Sequence, residues 1–252
     1  MSAVPRYPTS CIHYAGGSDV GRVRPENQDR WIADPDRGLF LIADGMGGVA
    51  AGKLGADIVA EVLPSLLRQR LDPTRLDETA ATLVRESLIE LSDEIHETAK
   101  SRFGTNGVGA TVVLAVIRGH EALIAHLGDS RAYLFRNELQ SLTRDHSLLQ
   151  VMLDEGLVSP CDVAACSRAQ LTQFIGMQDA PAPAVRRLTL RPGDRLLLCT
   201  DGVWGSLSHE RMEAIVAEKL PPAAICRKLI AAANAAGGTD NSTALVIDLA
   251  GK

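Results

Sequence analysis

The sequence predicts an α+β fold of antiparallel sheets with helices packed outside them. Three observations carry this. Six short runs rich in β-branched or bulky apolar residues are bounded by Gly, Asp or Arg. Two of them are joined by Arg118-Gly119-His120, a tripeptide suited to a hairpin turn. Two helical patterns lie between the early strands and two shorter ones before the last strand, which places helix pairs outside sheets.

The runs are Leu39–Asp44, Thr111–Ile117, Ala122–Asp129, Arg131–Phe135, Arg195–Asp201 and Thr243–Leu249. In the first helical stretch Leu54, Ile58, Val62 and Leu66 recur every four residues. In the second, Leu76, Ala80 and Leu83, then Leu88, Leu91 and Ile95, keep three-or-four spacing. Met212, Ile215 and Val216, then Ile225, Leu229 and Ile230, mark the late pair. No repeat or Gly/Ser linker divides residues 1–252, so one domain is expected, with residues 1–10 a flexible tail. Residues 147–190 contain Pro160, Pro181 and Pro183 and lack steady periodicity. They read as a flap-like excursion near a site, since long loops in compact domains are usually functional or mobile.

Composition narrows the function. Apolar residues are 46% and charged residues 23%, ordinary for a globular chain able to bury a core. Net charge is -5, which gives no electrostatic support to a nucleic-acid or anionic-membrane partner. Five cysteines, with no CxxC, suggest reduced thiols in a cytoplasmic protein. The opening MSAVPRYPTS has no apolar core, so no signal peptide is expected, and no apolar run approaches the roughly 20 residues of a membrane span.

The chemistry lies in aspartates at strand ends. Leu39–Ile42 leads into Asp44-Gly45-Met46-Gly47-Gly48, Ala122–Leu127 into Gly128-Asp129-Ser130-Arg131, and Arg195–Cys199 into Thr200-Asp201-Gly202. Asp240, in Gly237-Gly238-Thr239-Asp240-Asn241, precedes the last strand. Clustered carboxylates are costly unless cations neutralise them, and glycine beside an acid lets a backbone carbonyl approach. Oxygen-only ligation favours Mg²⁺ or Mn²⁺ over zinc. Asp-Gly after a strand is also a plain turn signal, and spacing alone does not bring the four acids together. The stretch Asp19–Asp29 is charged; it is either a solvated loop or a guanidinium grip for phosphate.

Taken in order, SDVGRVRPENQDR, DGMGG, GATVV, GDSRAYL, TRDHS, CTDGVW and GGTDNST resemble the metal-dependent serine/threonine protein phosphatases of type 2C, bacterial branch. The resemblance runs from Ser18 to Ile247. It implies a four-layer α-β-β-α sandwich of two antiparallel sheets flanked by helices, with a binuclear metal centre at one edge. It implies that Asp44 bridges two Mn²⁺ or Mg²⁺ ions, that Gly45 lends its carbonyl, and that Asp201 and Asp240 complete the set. Asp129 would help hold a third, weaker ion together with Asp201. Arg24 would bind substrate phosphate, Asp29 would orient the attacking water, and Asn241 would fix the loop of Asp240. Hydrolysis of phosphoserine or phosphothreonine by metal-activated hydroxide follows. So do phosphoprotein substrates, a cognate serine/threonine kinase, no nucleic acid, no membrane and a monomeric enzyme.

Two positions depart from the family's pattern. Gln28 stands where many members have Glu and is kept off the ligand set. Met46 stands where some members have a histidine suspected as general acid, and it cannot donate a proton. His146 is expected to pack and hydrogen-bond locally rather than bind metal, and Cys199 to be a core residue rather than a nucleophile. A non-catalytic phosphopeptide-binding module would have lost a ligand acid, yet Asp44, Asp129, Asp201 and Asp240 are all present.

Overall fold

The computed structural model describes residues 12–47, 49–103, 107–159 and 170–250. The expected tail at 1–10, Gly48, three cysteines (Cys11, Cys161 and Cys166) and Ser167-Arg168-Ala169 of the excursion lie outside the described residues.

Chain order is β1 (Ile12–Asp19), β2 (Asp29–Asp34), β3 (Leu39–Met46), α1 (Val49–Arg70), α2 (Glu78–Phe103), β4 (Gly109–Arg118), β5 (Glu121–Leu127) and β6 (Arg131–Phe135). There follow β7 (Leu139–Ser141), α3 (Leu148–Asp154), β8 (Ala184–Thr189), β9 (Arg195–Cys199), α4 (Asp201–Trp204), α5 (His209–Val216), α6 (Pro222–Ala235) and β10 (Ser242–Leu249). One sheet runs β1-β10-β9-β6-β7 and the other β2-β3-β4-β5-β8. Every strand pairing in them is antiparallel.

Period-2 alternation sorts the side chains into three cores. From β3, Leu39, Leu41 and Ala43 face α1 and α2, where they meet Val59, Leu63, Leu88 and Leu91. The alternate residues Phe40 and Ile42 face the other sheet and pack with Val113, Ala115, Leu196, Leu198, Leu245 and Ile247. The far faces of β9 and β10, with Leu197, Cys199 and Val246, take Met212, Ile215, Ile225 and Leu229 from α5 and α6. The result is the expected four-layer sandwich. Each fully buried Leu, Ile or Val in it contributes about 1.5–3 kcal/mol.

All six expected strands form. Gly119, with φ 58°, opens a two-residue turn that pairs Arg118 with Glu121, as in a type II′ hairpin. The excursion is shorter than expected. Ser147 caps α3 by accepting from Gln150 N, and residues 184–189 form β8 at a sheet edge, paired with β5. The apolar residues Leu148 and Val151 of α3, and Leu157 beyond it, are exposed, so no buried face announces that helix. Among the described residues no helix is long and apolar enough to cross a membrane.

Candidate metal centre

β2 and β3 pair so that Asp29 stands directly opposite Asp44. Asp44 shares the parity of Phe40 and Ile42, so it belongs to the face between the sheets. Parity also sends Thr200 and Thr243, from the other sheet, into that space. Both hydroxyls donate to Asp29 Oδ2, at 2.9 Å from Thr200 and 2.6 Å from Thr243. Thr243 in turn accepts from Ser18, across 2.6 Å, and Ser18 accepts from Asn27 Nδ2 at 2.7 Å. This chain of hydroxyls stitches the sheets together under the acids. Neither threonine was singled out by sequence, although Thr200 adjoins Asp201, Thr243 closes the motif that holds Asp240, and both share the parity of apolar residues facing between the sheets.

Asp201 opens α4, close enough that its charge raises Asp44. Asp129 lies in the turn between β5 and β6; its carbonyl accepts from Trp204 Nε1 at 2.9 Å. Asp240 accepts from Arg24 Nη2 at 2.6 Å and from the Asn241 amide at 2.9 Å. Asn241 uses its whole carboxamide. Its Oδ1 accepts from Gln28 N, and its Nδ2 donates to the carbonyls of Val20 and Glu26. It thereby ties the loop of Arg24 to the loop of Asp240. Gly45 is pressed against α1: a Cβ there would lie 2.0 Å from Gly52 O, so only glycine fits. Gln28 turns its amide onto Glu26 Oε1, and Met46 ends β3.

The acids burden one another. Burial first, then the charge of Asp29 and Asp201, pushes Asp44 well above the usual carboxylate range. Burial raises Asp29 to about 7 against the pull of its two threonine donors, and raises Asp129 to about 7 with help from Asp201. Asp201 rises to about 6 through burial and the nearby Asp240. Asp29 Oδ1 and Asp201 Oδ1 are buried with no hydrogen-bond partner. Partnerless carboxylate oxygens among mutually repelling acids fit a cation-binding edge. Still, among the described residues no three His, Cys, Asp or Glu side chains converge enough to hold an ion by themselves. Asp240 is turned onto Arg24, and the expected set includes a backbone carbonyl as well as side chains.

The resemblance implied that Arg24 binds substrate phosphate; in this structure its Nη2 donates to Asp240. His146 and Cys199 behave as expected. The first bonds to Gly128, and the second is a buried free thiol that burial pushes up to about 12.

An α-β-β-α sandwich with acids gathered at one edge is the architecture of the type 2C phosphatases. The chain belongs to the protein phosphatase 2C family, whose profile matches residues 21–230. It is 30% identical over 242 residues to the serine/threonine phosphatase stp of Listeria monocytogenes, spanning 94% of this chain and 96% of that protein. It is 32% identical over 238 residues to the protein phosphatase PhpP of Streptococcus pneumoniae, spanning 92% and 95%. The catalytic domain of the serine/threonine protein phosphatase PstP, crystallised with two manganese ions, superposes with a TM-score of 0.81. That match is 28% identical and covers 96% of this chain and 99% of the PstP domain.

Proposed function

We propose that residues 1–252 form one phosphatase domain that hydrolyses phosphoserine and phosphothreonine in proteins, opposing a cognate serine/threonine kinase in the cytoplasm as a monomer. The observation that carries this is the meeting of Asp29, Asp44, Asp201 and Asp240 with Arg24 at one edge of the sandwich. The family and the names of the relatives support the substrate class. The free thiols Cys199 and Cys226 suit a reducing compartment.

Asp44, the Gly45 carbonyl, Asp201 and Asp240 would hold two divalent cations, Mn²⁺ or Mg²⁺, and Asp129 with Asp201 a third, weaker one. Such cations, when bound, supply Lewis acidity that lowers the pKa of water and offsets phosphate charge. The chain's own groups do the rest. Arg24, whose side chain is half exposed, exchanges Asp240 for phosphate oxygens, which its planar fork matches. Asp29, fixed through Oδ2, presents Oδ1 to accept a hydrogen bond from the attacking water. That water oxygen bonds to phosphorus as the ester P–O bond breaks; the proton the water sheds leaves to solvent, and the departing serine or threonine oxygen takes one up from solvent. Met46 cannot supply that proton.

The test is phosphopeptide and para-nitrophenyl phosphate hydrolysis by wild type and Asp44→Asn, with Mn²⁺ or with EDTA. Mn²⁺-dependent turnover that EDTA and the substitution both abolish is expected. Full activity in chelator would remove the metal reading.

A further inference from the structure

The motif Thr143-Arg144-Asp145-His146 has no part in the reaction above, yet it braces the turn that carries Asp129. Thr143 Oγ1 accepts from Ala132 N at 3.1 Å, just past that turn. Asp145 grips Arg131 through two bonds of 2.7 Å. The Arg131 guanidinium lies 3.5 Å above the Trp204 ring, whose Nε1 holds the Asp129 carbonyl. This secures the C-terminal side of the turn.

His146 secures the other side with two contacts to Gly128. Its main-chain N–H donates to the Gly128 carbonyl at 2.9 Å, and its Nδ1 accepts from Gly128 N at 3.3 Å. Gly128 has φ 109°, and a Cβ there would lie 2.6 Å from the Thr111 side chain, so the turn is demanding as well as braced. A backbone N–H only donates, so Nδ1 is bare and the ring proton is on Nε2. The ring is stacked on His126, centroids 4.6 Å apart, and His126 is fixed by a 2.7 Å bond to the Arg144 carbonyl. Burial, with the neighbouring His126, holds His146 down at about 4, which keeps the ring neutral.

We infer that His146 is a positioning residue for Asp129: its bare Nδ1 sets the Gly128 peptide and so aims the next residue's carboxylate at the weaker cation site shared with Asp201. This rests on the reading of Asp129 given above. Simple packing would need a ring of this size but no acceptor at Nδ1.

Asn and Gln separate the two ideas. Asn places Oδ1 where Nδ1 stands, whereas the Gln oxygen falls nearer Nε2. Mn²⁺ is titrated calorimetrically into the full chain for wild type, His146→Asn and His146→Gln, with phosphopeptide kinetics alongside. For His146→Gln the weakest Mn²⁺ event should weaken about tenfold, with a lower kcat and tighter binding events unchanged; His146→Asn should stay within about threefold of wild type. Imidazole ¹⁵N shifts of the metal-free wild type should report the Nε2–H tautomer. Equal behaviour of the two variants, or an Nδ1–H ring, would overturn the inference. A wild type that binds no Mn²⁺ at all would instead sink the functional reading, and this inference with it.

Discussion

Asp29 and Asp44 are cross-strand partners, two carboxylates face to face at the end of β2 and β3. Like charges directly opposite on a sheet destabilise it, and here the charge of Asp201 adds to that of Asp29 in pushing Asp44 up. The site is therefore strained electrostatically when no cation is bound.

Asp44→Asn should relieve that strain, because an amide donates to Asp201 where a carboxylate repels. The metal-free variant should melt about 2–4 °C above wild type, corresponding to about 1 kcal/mol. Its kcat/KM with Mn²⁺ should fall about 100-fold or more. A melting scan and a rate assay check the two halves separately. A variant both less stable and fully active would contradict the assignment.

The raised acids also set a pH dependence. Asp29 and Asp129 titrate at about 7 and Asp201 at about 6 in the folded chain, against about 3.9 unfolded. The folded state thus binds these protons more tightly than the unfolded state. Their destabilisation is full above pH about 7, shrinks as pH falls through 7 and 6, and is gone below the unfolded value. Metal-free Tm should rise between about pH 8 and about pH 5.5, and saturating Mn²⁺ should flatten that slope. A metal-free Tm that falls over this interval would mean the acids are neutralised by something else.

Legibility followed burial. The six strands visible in the sequence are unbroken apolar runs because most are covered on both faces, as Phe40, Leu41 and Ile42 are. β1, with Gly16-Gly17, and β2, with charges at both ends, carry half-exposed patterns that hide them. Gly16 is in β1 because the Trp31 ring lies where its Cβ would be, a contact no local pattern reveals. The acids could be picked out by their glycines and strand ends. The bonds of Asp29 to Thr200 and Thr243, and of Arg24 to Asp240 across 216 residues, exist only once the two sheets are stacked.

Arg24→Ala tests that last pair. If Arg24 grips phosphate, its loss should raise KM about 10–100-fold, the cost of one charge-assisted hydrogen-bonding group. Mn²⁺ affinity should hold or tighten, because Asp240 is released. Weaker Mn²⁺ binding with an unchanged KM would make Arg24 a support for Asp240 and nothing more.

Thr243→Val tests the hydroxyl chain beneath the acids. Val keeps the shape and the β-branch but removes one of the two donors to Asp29 Oδ2. Asp29 is almost fully buried, and its Oδ1 already lacks a partner, so the carboxylate would be left with Thr200 alone. The loss should cost about 1–3 kcal/mol, lowering Tm by about 2–10 °C at neutral pH. It should also push Asp29 further up, since the Thr243 bond is what lowers it most. The acid limb of the pH–rate profile should then move to higher pH. Thr243→Ser, which retains a hydroxyl, should restore both. In an Asp29→Asn background the Thr243→Val penalty should shrink, because no buried charge is left short of a donor. An equal penalty in both backgrounds would place the effect in β10 packing and detach Thr243 from Asp29.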